Sequence, residues 1–223
     1  GDPNTARTNL EAKERWSLNV VTDLFLAKDS RVLNDFGWQR KVIPGKTIQT
    51  DDVADITLDG DYVFSLDTGM GKTETVGRMI VEDCIHNNKR LVYITPLKSL
   101  SLGDAKELSE KLGVPVNTYL SFGSTKEEIS QALQQSIVFM CYQGLERFKK
   151  FNLEHLLPQF HTLMTDEAAT ILMDGKCSDA DTDNFKVYSS IFTQAKRTVS
   201  MDHDINQRYH LKMISILREH HTT

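Results

Sequence analysis

A doubly wound α/β domain, with a mostly parallel sheet flanked by helices, is the fold this sequence predicts, on three observations. From Tyr62 onward, short apolar runs alternate with stretches whose apolar residues recur at helical spacing, the pattern of stacked β-α units. A glycine-rich turn, Thr68-Gly69-Met70-Gly71, joins the first run to the first helical stretch. At 223 residues, 39% hydrophobic and 26% charged, the chain is long enough for one sizeable core and short for two.

The elements follow in order. Leu10–Leu26 has helical periodicity, and with the acidic stretch Asp51, Asp52, Asp55, Asp59 and Asp61 it predicts an N-terminal helix and connector over residues 1–60, ahead of a domain over 61–223. Strands are expected at Tyr62–Leu66, Leu91–Thr95, Val116–Leu120, Ile137–Cys141, Thr162–Thr165 and Thr198–Met201. Between them the spacing predicts helices over Lys72–His86, Ser99–Leu112, Lys126–Gln134, Asn184–Ala195 and Gln207–Glu219, with Gly, Pro, Asn or Asp near several ends. Asp174–Asp183 has no hydrophobic pattern and reads as a solvated loop; its aspartates lack the glycine and closing glutamate of a calcium loop.

Composition removes several function classes. No apolar run approaches the ~20 residues of a membrane span, and the N-terminal G-D-P-N-T-A-R-T is polar rather than signal-like. An intracellular protein with no membrane partner is therefore expected. The chain begins with Gly rather than Met, which suggests a piece of a longer protein. Cys84, Cys141 and Cys177 are far apart and lack Cys-x-x-Cys spacing, so neither a disulfide framework nor a zinc site is indicated. The net charge of −5 argues against a DNA-coating protein, but leaves room for a groove built from helix N-termini and backbone amides.

Phosphate chemistry in such a sheet belongs at the carboxyl ends of the strands, where Asp67–Gly71, Pro96–Ser99 and Asp166–Ala169 fall. The chain spells Gly-Lys-Thr twice. The copy at Gly71-Lys72-Thr73 follows a strand, turns through Thr68, Gly69 and Met70, and opens a helix, as a phosphate cradle requires. There Lys72 would reach the β- and γ-phosphates of ATP, and Thr73 would ligate Mg²⁺. The copy at Gly45-Lys46-Thr47 fails, because Pro44 removes an amide donor and no strand leads into it. Leu66 stands where the usual phosphate-loop pattern starts with Gly, but that position ends the strand and lies outside the wrapping amides.

Thr68-Gly69-Met70-Gly71-Lys72-Thr73 resembles the T-G-x-G-K-T loop of superfamily 2 helicases and translocases, and three further stretches extend the resemblance. In L-M-T-D-E-A-A at Leu163–Ala169, Asp166 would hold Mg²⁺ and Glu167 would orient and deprotonate the attacking water. L-V-Y-I-T-P-L-K-S-L at Leu91–Leu100 is similar to the family's motif Ia, which grips a nucleic-acid backbone through Thr95, Pro96, Lys98 and Ser99. I-V-F-M-C-Y-Q-G-L-E-R at Ile137–Arg147 is similar to the next backbone-contacting motif, with Tyr142, Gln143 and Gly144 at the matching places.

R-T-V-S-M-D-H-D-I-N at Arg197–Asn206 occupies the place of motif III, which couples nucleotide and nucleic-acid sites, and Asp202 takes that coupling role. Its Met201-Asp202-His203-Asp204 is closer to the Asp-Ala-Asp of viral origin-binding helicases than to Ser-Ala-Thr, whereas His203 reads as a polar loop residue. Gln49 lies roughly where family members place a glutamine that reads the adenine edge.

The resemblance runs from about Tyr62 to Asp204 and implies the first RecA-like P-loop ATPase domain of such a motor, with DNA or RNA bound independently of sequence. A second RecA-like domain, with its arginine finger, is expected in the full-length protein; without it, ATP hydrolysis should be very slow. Two other classes are weighed beside it. A P-loop kinase is disfavoured because no arginine-rich lid segment falls between Lys72 and Asp166, and a non-hydrolysing binding module because Lys72, Thr73, Asp166 and Glu167 are all present.

Overall fold

The computed structural model describes residues 19–21, 48–65, 71–96, 98–112, 117–119, 125–174, 183–203, 205 and 208–219. Among the described residues, seven strands form one sheet: β1 (Asn19–Val21), β2 (Gly60–Ser65), β3 (Leu91–Thr95), β4 (Asn117–Tyr119), β5 (Ile137–Cys141), β6 (Thr162–Asp166) and β7 (Arg197–Asp202), in the spatial order β1-β2-β7-β6-β3-β5-β4. All pairings are parallel except that of β1 with β2. Every residue of β3, β5, β6 and β7 is buried, as parallel strands covered on both faces must be.

Alternation along each strand divides the core into two layers. Leu91, Tyr93, Ile137 and Phe139 point to one side, with Val76, Ile80, Val81 and Cys84 of the first helical stretch and with Ala105 and Leu108. Val92, Ile94, Val138 and Met140 point to the other, with Ile129, Ile171, Tyr188, Ile191 and Ile214. The first side is covered by α1 (Arg78–His86) and α2 (Lys98–Leu112), and the second by α3 (Lys126–Ala132), α4 (Glu146–Lys150), α5 (Ala168–Asp174), α6 (Asp183–Gln194) and α7 (Arg208–Glu219). This is the expected doubly wound arrangement. Thr125 starts α3 with a reciprocal capping box, its hydroxyl accepting from Glu128 N–H while the Glu128 carboxylate accepts from Thr125 N–H.

Two expectations before Asp61 need correction. Within Leu10–Leu26, where periodicity predicts a helix, the described residues Asn19–Val21 are a strand paired with Val63–Ser65; edge pairing overrides a helical pattern at so short a segment. Part of the expected connector is a kinked 3₁₀ stretch, Thr50–Thr57, because Val53 and Ile56 are buried against the sheet layer that holds α1. Asp51 and Asp52 lie in its first turn, where negative charge suits the helix dipole. Pro96 lies just before α2.

At the opposite end of the sheet from the strands' carboxyl ends, Arg197 is fully buried. Its guanidinium donates to Asp83 Oδ2 (2.7 Å), to the Ile56 and Thr57 carbonyls (3.1 and 2.9 Å), to Thr162 Oγ1 (3.1 Å) and to Cys84 Sγ (3.1 Å). One side chain thus ties β7 to β6, α1 and the 3₁₀ stretch. Arg197→Met takes the nearest cation from Asp83, leaving it Lys89 at 3.6 Å, removes the donor to the Ile56 and Thr57 carbonyls, and is expected to cost about 3–5 kcal/mol of unfolding free energy. The check is a denaturant titration, in which the midpoint should fall with the slope unchanged.

Candidate nucleotide site and nucleic-acid interface

Gly71 has φ of +93°, a left-handed conformation that glycine adopts without strain. The chain then enters a π-helical turn, Lys72–Gly77, before α1, with the Thr75 and Val76 amides both directed at the Gly71 carbonyl (2.8 and 3.4 Å). The first amides of any helix have no carbonyl partner within it, so this end offers donors to an anion. Gly77 sets the turn's depth: a Cβ there would lie 3.1 Å from Met164 Cε on β6. The close approach brings Lys72 Nζ to 4.0 Å from Asp166 Oδ1, both side chains being almost closed to solvent.

Asp166 ends β6, and burial is the main force pushing its carboxyl above the ordinary aspartate range. The Lys72 charge, the Glu167 amide (3.0 Å) and the nearby Tyr93 phenol oppose that shift, while Asp202 adds to it. Glu167 takes φ of +51°, uncommon for a residue with a side chain, and this bend carries the chain from β6 into α5. Burial, then the Asp202 charge, raises the Glu167 carboxyl; Lys72 and His203 pull it down. Asp202, buried at the end of β7, accepts from the Ala169 amide at 2.8 Å, and its Oδ1 lies 3.0 Å from His203 Nδ1.

Gln49 is exposed, just before the 3₁₀ stretch; its amide donates to Asp52 Oδ2 at 2.9 Å. The neighbouring Ile48 carbonyl accepts from the Thr75 hydroxyl at 3.2 Å, which fastens this segment to the turn carrying Lys72.

Farther across the sheet, Thr95 and Cys141 are register partners at the ends of β3 and β5, and Cys141 Sγ lies 3.5 Å from the Pro96 carbonyl. The two expected backbone-contacting loops therefore lie side by side. Their side chains divide differently from expectation. Thr95 is wholly buried, and the Tyr142 ring packs edge-on against Tyr188 at 6.1 Å, so neither offers its side chain to a solvent-facing track. Gln143 is exposed and Gly144 half-buried, and Lys98 and Ser99 open α2.

Of the predicted nucleotide-site residues, Gly71, Lys72, Thr73, Asp166, Glu167 and Asp202 belong to one edge formed by β2, β7 and β6. Thr68, Gly69, Met70, the earlier Gly45-Lys46-Thr47, Cys177 and Asp204 lie outside the described residues. The donors fit a magnesium polyphosphate: a carboxylate oxygen on Asp166, a hydroxyl on Thr73, and an ammonium 4.0 Å from that carboxylate. Sequence reasoning missed Tyr93, which only a general signal could have marked, since a tyrosine inside a buried strand needs a partner for its hydroxyl. It also passed over His203 as a loop residue.

The DEAD/DEAH box helicase family model matches residues 46–199. A search of curated protein sequences returns no match. Among solved structures, the chain is similar to the Pyrococcus furiosus Hef helicase domain, with 19% identity, TM-score 0.58, and coverage of 74% of this chain and 34% of that one. It is similar to a hypothetical ATP-dependent RNA helicase from Sulfolobus tokodaii (16% identity, TM-score 0.57, 84% of this chain and 53% of that one). A third similar structure is the Sulfolobus solfataricus SWI2/SNF2 ATPase core in complex with dsDNA (17% identity, TM-score 0.52, 84% and 35%). At these identities the likeness is one of fold, and the chain spans between about a third and about half of each, from 34% to 53%.

Proposed function

Because the chain belongs to the DEAD/DEAH box helicase family, we propose that it is the first RecA-like domain of an ATP-dependent motor that unwinds or translocates along DNA or RNA. The observation that carries the reading is the meeting of Lys72 and Asp166, 4.0 Å apart, with Glu167 next in the chain. Thr68, Gly69, Met70 and Gly71 and the first helix amides hold the phosphates, and Lys72 supplies the charge. Thr73 and Asp166 hold Mg²⁺, which when bound would neutralise phosphate charge. Glu167 takes a proton from the attacking water on its carboxylate, and Gln49 meets the adenine edge.

Asp202 couples this site to the nucleic acid, since its carboxylate holds the Ala169 amide just beyond Glu167. A second RecA-like domain in the longer protein closes the cleft and adds an arginine finger. The likeness of Met201–Asp204 to origin-binding helicases favours a role in DNA replication, hence an intracellular one. No helix among the described residues is long and apolar enough to cross a membrane.

Nucleic acid runs over the β3 and β5 ends and meets Pro96, Lys98, Ser99, Gln143 and Gly144, with main-chain groups standing in for the buried Thr95 and Tyr142 side chains; the pairing of Thr95 with Cys141 supports this reading. Lys98→Ala should weaken binding equally for unrelated sequences and reduce the salt slope by about one. A salt series of binding isotherms on two oligonucleotides, beside an ATP titration, tests this. Unchanged nucleic-acid binding with impaired ATP binding would contradict the track.

A further inference from the structure

The family's name spells an acidic or imidazole side chain at the fourth position of its box. This chain has Asp166-Glu167-Ala168-Ala169, so its fourth position carries a methyl group. Both kinds of group are nonetheless present nearby, Asp202 at the end of β7 and His203 just after it. Asp202 Oδ2 accepts from the Ala169 amide at 2.8 Å, and Oδ1 lies 3.0 Å from His203 Nδ1. Ligating atoms of Glu167, Asp202 and His203 all lie within 4.8 Å of one another.

That arrangement poses an electrostatic problem and contains its solution. Two carboxylates this close repel, one being a buried anchor and the other the proposed base. The imidazole, half exposed at the end of β7, is the polar N–H group placed to satisfy the anchor and to soften its effect on the base. Glu167 also holds an uncommon left-handed backbone between β6 and α5, so its direction depends on what fixes the start of α5. One fastening there is the Asp202 carboxylate on the Ala169 amide, which ties the start of α5 to β7.

We propose that His203 is a positioning residue for Glu167: held on Asp202, it keeps the start of α5 and the Glu167 carboxylate in working geometry, supplying from β7 the group that Ala169 lacks. The inference rests on Glu167 being the base of the ATPase site.

Its test is steady-state ATP hydrolysis by the full-length protein, saturated with nucleic acid, for wild type, His203→Ala and His203→Asn. His203→Ala should lower kcat by about 10- to 100-fold, the scale of a misplaced reacting group, with KM for ATP and thermal midpoint little changed. His203→Asn, which keeps a donor where Nδ1 stood, should recover most of the loss. Unchanged kcat in His203→Ala, or a loss that follows thermal stability or is not relieved by Asn, would overturn the proposal. Imidazole ¹⁵N spectra of the unliganded chain provide a second arm that needs no turnover. A protonated Nδ1 perturbed by Asp202→Asn supports the dyad, and an Nδ1 indifferent to that change overturns it. Wild-type protein without ATPase activity would instead sink the ATPase reading itself, with the spectra still deciding the dyad.

Discussion

Glu167→Gln is expected to lower ATP turnover by about 10²–10⁴-fold, the range for loss of a general base, while ATP still binds. The amide keeps the shape of the side chain but cannot accept the water's proton. Gln also removes one of the carboxylates crowded with Asp202, so the variant should fold at least as well as wild type. The pH dependence carries the same signature. Burial and Asp202 raise the Glu167 carboxyl above the ordinary glutamate range, and the base-competent form is the ionised one. Activity is therefore fully present above that raised value and lost as pH falls through it. The acidic limb of kcat/KM should lie above the usual glutamate position, and the residual activity of Glu167→Gln should lack that limb. Normal turnover in the variant would remove Glu167 from the base role.

The second large effect is on nucleotide binding. Lys72→Ala is expected to weaken ATP binding by ~10²-fold or more, since truncating one partner of a desolvated charge pair costs ~2–5 kcal/mol. Lys46→Ala, in the other Gly-Lys-Thr, should leave it unchanged. The physical difference is placement: Lys72 follows a left-handed glycine and stands 4.0 Å from Asp166. Its loss also leaves the Asp166 carboxylate with less opposing charge, so the Asp166 carboxyl should rise further. Equal losses for the two lysine variants in a nucleotide titration would contradict the assignment of the phosphate loop.

Legibility in the sequence followed how local the cause of each feature is. β3 and β5 were readable to the residue, because Leu91–Thr95 and Ile137–Cys141 are apolar runs of strand length, buried on both faces. Lys72, Asp166, Glu167 and Asp202 were readable as candidates because strand-end residues in such a sheet converge on one edge. The 3₁₀ stretch Thr50–Thr57 was hidden under its aspartates, since Val53 and Ile56 alone carry its burial. The five-residue helix α4 spans too few residues to display a period. Thr95 and Tyr142 were placed in the right loops, but whether a strand-end side chain faces core or solvent depends on packing by distant elements, here Tyr188 of α6. Ala169 meets Asp202 across segments far apart in sequence, which no local pattern records, and the place of His203 beside Asp202 gains its interest only from that contact.

The function proposed for this domain is ATP hydrolysis at one edge of the sheet in response to nucleic acid bound along the neighbouring strand ends. Its most direct test is the initial rate of ATP hydrolysis by the full-length protein, with and without single-stranded and duplex DNA and RNA. At least one of these should raise the rate several-fold, with Lys98→Ala shifting the required nucleic-acid concentration upward and leaving ATP affinity alone. A rate indifferent to every nucleic acid, or phosphate delivered to a small-molecule acceptor instead of water, would contradict it.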